Sequence, residues 1–231
     1  PLVLNTGRVR DQWHTMTRTG LSPRLSQHRR EPLLELHPDD AATHGLCDTA
    51  LARVVSAKGE SIFRVHVTED QRPGNAYVPM HWTDQMGSTG RANRTVIGLT
   101  DPVSGQPGFK NSGVRIEPVT TDWRGFLVTK HKPQFEASLL WVSVRVPGGW
   151  LIEMAGQGGI DTELLLPNGN QIEAFDAARG TRRIAVSGED GTVEAALFIT
   201  RSGQLPDRDW IAAQLCDGTA SSGAHIVQNQ A

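Results

Sequence analysis

The chain has 231 residues, 38% of them apolar and 21% charged, with a mean hydropathy of -0.34 and a formal charge of -2. That length accommodates one large domain or two small ones, each with a core of its own, and no apolar run approaches the ~20 residues a spanning helix needs, so no membrane role is expected. The near-neutral total hides a local excess: residues 1–30 hold six arginines (Arg8, Arg10, Arg18, Arg24, Arg29 and Arg30) against one acid, Asp11, about +5, which leaves about -7 for the remainder.

In chain order, Leu2–Asn5 reads as a buried strand running into a long polar loop, residues 6–32, with one helical turn. Leu33–His37 is a second strand, and Pro38–Gly45 follows as a short helix with Pro at its first position, acids in its first turn and Gly past its end. Thr49–Thr68 holds two strands around the turn Lys58-Gly59; Phe63, Val65 and Val67 alternate with polar neighbours, a half-buried pattern. Ala76–Met80 and Gly113–Glu117 complete the first half, and composition shifts around Pro118.

Beyond it, residues 126–130, 139–146 and 150–154 read as strands, with Gly148-Gly149 as a turn. Arg182–Ser187 and Thr192–Ile199 form a hairpin around Gly188-Glu189-Asp190-Gly191, glycines suited to positive φ. Asp207 caps a helix reaching about Leu215, with Trp210, Ile211 and Leu215 on one face. The expected organisation is mainly β with short helices: a barrel domain over 1–118, a smaller α+β extension over 119–216, and a flexible tail over 217–231 rich in Gly, Ser, Ala, Asn and Gln. The abrupt opening Pro1-Leu2-Val3-Leu4 reads as a piece of a longer polypeptide, and Cys47 and Cys216, far apart and outside any C-x-x-C pair, read as reduced core thiols in a cytosolic setting.

The opening loop concentrates the chemistry. Hydroxyls at Thr6, Thr15, Thr17 and Thr19, planar forks at Arg8 and Arg18, and Trp13 beside His14 are what a phosphorylated ligand with a ring would need: several donors for its charge and a flat apolar wall. The competing reading is a solvated loop with a structural tryptophan. His81-Trp82 repeats the His/Trp pairing at a strand end, where a satisfied half-buried histidine and a ligand contact remain equal alternatives. Asn93, Asp101 and Lys110 fall in a loop punctuated by Gly and Pro, where a lysine is either solvated or a contact. No P-loop and no G-x-G-x-x-G after a strand is present, which disfavours nucleotide hydrolysis and Rossmann-type hydride transfer; no H-x-x-x-H or G-x-S-x-G supports a metal or a serine nucleophile.

With these residues in view, the chain resembles the C-terminal part of bacterial molybdopterin-dependent nitrate reductases, most closely the assimilatory type. The resemblance rests on Thr6-Gly7-Arg8, on Asp11–Gly20 (DQWHTMTRTG), on His37-Pro38-Asp39-Asp40-Ala41, on Val78–Gln85 (VPMHWTDQ) and on Asp101–Pro107 (DPVSGQP), in the family's order and spacing. It implies a double-psi β-barrel-like domain covering one face of a bis(molybdopterin guanine dinucleotide) cofactor with molybdenum. Carried over by position, Thr6, Gly7, Arg8, Trp13, His14, Thr15, Thr17 and Arg18 would surround the dinucleotide, and His81, Trp82, Asn93 and Lys110 would approach from a second side. The resemblance further implies nitrate reduction to nitrite in a cytoplasmic enzyme. An iron–sulfur cluster and the metal-ligating cysteine would be held by upstream domains, with a separate electron-donor protein and no catalysis by this portion alone. Two alternatives stand beside it: the same domain in a formate dehydrogenase or periplasmic nitrate reductase, and a β-barrel using its basic loop for nucleic acid, against which the pI near 6.5 weighs.

Overall fold

The computed structural model describes residues 1–216 and 223–228. The chain divides into two compact units, Pro1–Thr19 with His28–Thr120, and Gly20–Gln27 with Thr121–Ala231.

The first unit starts with β1 (Leu2–Gly7), whose Leu2, Leu4 and Thr6 point inward while the residues between them stay half-exposed. The long loop that follows contains a 3-10 turn at Thr19–Leu21 and, as the loop's composition led one to expect, a single helical turn, α1 (Pro23–Ser26), which counts with the second unit. Then come β2 (Leu33–Leu36), α2 (Pro38–Thr43), β3 (Leu51–Val55), β4 (Glu60–Val67), β5 (Asn75–Pro79) and β6 (Lys110–Val119). The α2 start is fixed chemically: the backbone N–H of Asp39 donates to His37 Nδ1 at 3.2 Å, and Asp39 and Asp40 occupy the first turn. Its end is fixed by Gly45, which turns the chain at φ 66°.

The six strands close into a barrel in the order β1-β5-β2-β4-β3-β6, with β1/β5 and β2/β4 parallel and the other pairs antiparallel. Period-two alternation sends one set of side chains inside, where Leu4, Leu34, Leu36, Phe63, Val65 and Val78 are among the most deeply buried of the core. Closure also dictates what meets at the barrel's ends. Gly7 lies opposite Pro79 in the parallel β1/β5 pair, and Asn5 opposite Lys110 in the antiparallel β1/β6 pair. The ends of β1 and β5 and the beginning of β6 therefore share one rim. The β3–β4 turn at Lys58-Gly59 opens toward the same end of the barrel, because β3 runs antiparallel to β6 and closes toward the β6 start, with Val55 opposite Arg115.

The second unit is an antiparallel sheet of β7 (Trp123–Thr129), β8 (Leu140–Val146), β9 (Gly149–Gly156), β10 (Asn170–Asp176), β11 (Thr181–Ser187) and β12 (Val193–Thr200), in the order β10-β11-β12-β7-β9-β8. Both faces of its central strands are covered. Phe126, Val128 and Phe198 pack with Ile211 and Ala212 of α3 (Arg208–Ala213) and with Ile226 and Val227 of α4 (Gly223–Gln228); Leu127, Ile152, Ile184 and Leu197 build a core on the opposite face. Double burial is why β7 and β12 read as near-continuous apolar runs and not as alternating ones. Asp207 caps α3 as expected, accepting from the N–H of Trp210 at 2.8 Å.

Four expectations need correction. Strand β10 was not foreseen: all seven of its residues are exposed, so no buried face imposes an alternating pattern, and its identity comes from backbone pairing with β11 along its whole length. Within the run expected to be a flexible tail, Gly223–Gln228 is a helix whose Ile226 and Val227 are buried; residues 217–222 and 229–231 lie outside the described ones. Cys47 and Cys216 are exposed and not core thiols; the buried leucine just before each, Leu46 and Leu215, takes the core position instead. Of the two glycines in the β11–β12 loop, Gly191 takes positive φ (79°) and Gly188 does not.

Candidate functional site

The rim gathers most of the residues singled out from the sequence. Thr6 is buried at the end of β1 and its Oγ1 donates to the Phe109 carbonyl at 2.6 Å, which ties the chain just before Lys110 to β1. Gly7 follows, and a Cβ there would stand 3.0 Å from Tyr77 Cε2, so the small residue makes room for that ring. Tyr77 in turn donates through its hydroxyl to the Arg8 carbonyl at 3.2 Å. Burial first, and the nearby Glu35 carboxylate second, push its phenol above the ordinary range, so it stays a neutral donor. Met80 N–H donates to the Gly7 carbonyl at 3.0 Å, extending the β1/β5 ladder by one step beyond the strands.

From this anchored base the basic loop projects. Trp13 is 72% exposed, an unusual state for the largest apolar side chain, and the Arg8 guanidinium lies 4.1 Å from the centre of its ring. His14 meets the same indole edge-on at 5.4 Å. Tryptophan therefore is not serving as a structural plug in this loop; it is held outward with a cation on it. Thr15, Thr17 and Arg18 are exposed, and Arg18, like the Lys110 ammonium, has no hydrogen bond or ion pair among the described residues. By contrast Arg10 is closed on Asp11 by two hydrogen bonds of 2.9 Å, which hold the Asp11 carboxyl below its usual range. Arg29 is likewise bound to Glu35.

His81 and Trp82 sit differently. Both are almost fully buried just past the end of β5. The Val9 N–H donates to His81 Nε2 at 2.9 Å, and His81 Nδ1 lies 2.7 Å from the His14 carbonyl. Since Nε2 accepts and a carbonyl cannot donate, the ring is neutral with its proton on Nδ1. Burial, the largest cause, lowers its basicity; the bond to the His14 carbonyl works against that, and the charges of His14 and Arg8 add to the lowering. Trp82 Nε1 is buried without a hydrogen-bond partner, the kind of orphaned donor that calls for an acceptor. Asn93 is apart from these: with Lys58, Gly59, Glu60, Arg94, Val96 and Gly98 it lines an open depression of about 610 Å³ beside the β3–β4 turn, which none of the other eleven expected residues lines. Asp101 organises the loop before Lys110, accepting from the N–H groups of Val103 and Ser104 and from the Ser104 hydroxyl; those bonds hold its carboxyl below the usual range.

Sequence reasoning missed Tyr77 and the Phe109 carbonyl. Tyr77 is the sole tyrosine and its neighbours gave no cue, because its role depends on the parallel β1/β5 register. A backbone carbonyl carries no signal in sequence at all. Among the described residues no group of three or more His, Cys, Asp or Glu side chains is arranged to hold a metal ion, and no helix is long and apolar enough to cross a membrane.

Comparison with known families adds the deciding observation: residues 2–113 match the model described as the molydopterin dinucleotide binding domain. That match spans 112 of the chain's 231 residues. The molybdopterin dinucleotide-binding domain thus covers the whole rim, including Asn93 and Lys110. Among curated proteins, a nitrate reductase of Klebsiella oxytoca is 45% identical over 156 residues, covering 68% of this chain and 18% of the relative. The assimilatory nitrate reductase catalytic subunit of Bacillus subtilis (strain 168) is 34% identical over 119 residues, 52% of this chain and 16% of the relative. The F420-dependent formate dehydrogenase subunit alpha of Methanocaldococcus jannaschii is 31% identical over 121 residues, 52% of this chain and 17% of the relative. The chain therefore spans less than a fifth of the length of the curated relatives it matches. Among solved structures, acetylene hydratase from Pelobacter acetylenicus matches with a TM-score of 0.44 and 19% identity, over 51% of this chain and 18% of that one.

Proposed function

We propose that this chain is the cofactor-holding C-terminal portion of a molybdenum-dependent nitrate reductase of the assimilatory, cytoplasmic type, and that its barrel rim receives a dinucleotide arm of bis(molybdopterin guanine dinucleotide). The observation that carries the reading is the exposed Trp13 with Arg8 stacked on it in the loop leaving β1, with Lys110 opposite β1 at the start of β6 and Arg18 exposed further along the same loop, within a matched dinucleotide-binding domain. A diphosphate needs converging charge and donors: Arg8, Arg18 and Lys110 supply the first, and the Thr15 and Thr17 hydroxyls the second. A ring of the ligand covers the open face of Trp13, and the orphaned Trp82 N–H is available to an acceptor. Asn93, flanked by Lys58 and Arg94 in its depression, takes a second polar part of the same ligand. The cofactor, when bound, supplies the redox chemistry that reduces nitrate to nitrite; the chain's own residues bind and orient it. The iron–sulfur cluster, the metal-ligating residue and the docking site for an electron-donor protein belong, on this reading, to the upstream domains, and the portion described here is inactive alone.

In the full-length enzyme, Arg8→Ala and Lys110→Ala are expected to lower retained molybdenum and nitrate reduction together. The hold on the cofactor should weaken by about tenfold or more per variant, the scale of a lost charge-assisted hydrogen bond. Wild-type levels of both quantities in both variants would overturn the assignment. The similarity to a formate dehydrogenase favours a second reading, the same cofactor in an enzyme with another substrate. Assaying the purified enzyme with nitrate and with formate separates the two.

A further inference from the structure

His81 was expected to face the ligand, yet its ring has no nitrogen left to offer. It is 1% exposed, its Nε2 is filled by the Val9 N–H at 2.9 Å, and its Nδ1–H is spent on the His14 carbonyl at 2.7 Å. Those two backbone groups lie five residues apart in the basic loop, and Trp13 sits between them with Arg8 just outside. The Met80–Gly7 hydrogen bond carries the ring into position, because it continues the β1/β5 ladder up to the residue before His81. We propose that His81 is a positioning residue, a neutral two-point clamp that holds the Val9–His14 segment so that Arg8 and Trp13 are stacked and presented before any ligand arrives.

The clamp follows from donor and acceptor chemistry alone. Only a neutral imidazole with its proton on Nδ1 satisfies both partners; a protonated ring would aim an N–H at the Val9 N–H. The titratable groups acting on the ring are His14, in the segment it holds, and Arg8, just outside it, and the charge of each disfavours protonation of the ring. Preorganising a loop that would otherwise sample many conformations lowers the entropic cost of binding, which is what the clamp contributes to affinity. That last consequence rests on the cofactor reading above; the clamp itself does not.

The experiment uses the full-length enzyme, wild type and with His81→Phe, His81→Gln and His81→Asn. Phe keeps the ring's bulk without either hydrogen bond, Gln restores an acceptor near the Nε2 position, and Asn restores a donor near the Nδ1 position. Tryptic cleavage after Arg8 and Arg10 reads the loop, and retained molybdenum reads the cofactor. Cleavage about tenfold faster in His81→Phe, partly rescued by Gln and Asn, is the expected result, matching the loss of two hydrogen bonds of ordinary strength. Unchanged cleavage with loss of molybdenum overturns the clamp and makes His81 a direct contact. Altered cleavage in an enzyme that holds no molybdenum even as wild type keeps the clamp and removes the cofactor reading. Should His81→Phe not fold, nitrogen NMR of the histidine-labelled wild-type enzyme decides: His81 reporting a protonated Nδ1 and a bare Nε2 supports the clamp, and the opposite tautomer overturns it.

Discussion

At the scale of single residues, the site is a case of one histidine setting the terms for its neighbours. Because burial lowers the His81 pKa below the ordinary value of 6.5, the folded protein binds fewer protons there than the unfolded chain. Its contribution to stability is fully present above that ordinary value and is lost as pH falls through the lower folded one. Thermal unfolding followed from pH 7.5 to 5 should show the midpoint dropping with acid, and His81→Phe should flatten that part of the profile; parallel profiles would contradict it. What Arg8, Trp13, Arg18 and Lys110 could do for a ligand was suggested beforehand, because residue type alone limits what a fork, an indole or an ammonium can do. Whether His81 was satisfied or free was not legible, since the answer lies in two backbone groups more than sixty positions away in sequence.

At the scale of elements, alternation and punctuation carried most of the reading. Strands with one buried face, such as β4 with Phe63 and Val65 inward, announce themselves by period two. The α2 helix announces itself by Pro38, its two acids and Gly45. β10 and α4 were silent for a physical reason: an exposed edge strand has no buried face to pattern, and a six-residue helix in a Gly/Ser/Ala context is stabilised by what it packs on and not by its own propensity. Two substitutions test the packing. Leu36→Ala, at a fully buried barrel position, is expected to cost about 2–5 kcal/mol. Gly125→Ala places a Cβ 2.3 Å from the Phe198 carbonyl and should cost on the order of 1–3 kcal/mol by forcing β7 from β12, since a backbone atom cannot rotate away. Denaturant titration reads both, and a midpoint equal to wild type in either would refute the packing described for that strand.

At the scale of the whole molecule, charge and topology work over longer distances. The first thirty residues are strongly basic within a chain that is otherwise acidic, so the segment they form attracts an anionic ligand more than the rest of the chain does. Reconstitution of the cofactor-free full-length enzyme should accordingly slow as ionic strength rises from about 0.05 to 0.5 M, across the range where screening shortens to a few ångströms; a rate indifferent to salt would oppose steering by the loop. Barrel closure itself was implied by family resemblance more than by periodicity, because alternation fixes which way side chains face but not which strands pair.

That closure has a temporal consequence. Leu2 pairs with Val114, so during synthesis β1 finds one of its two neighbours only after more than a hundred further residues have been made. Until then β1 and the arginine-rich segment behind it have a nascent chain with an open seam, and the groups destined for the rim are not yet neighbours. Loading of any bulky ligand there is consequently a late event in biogenesis, after translation has passed β6.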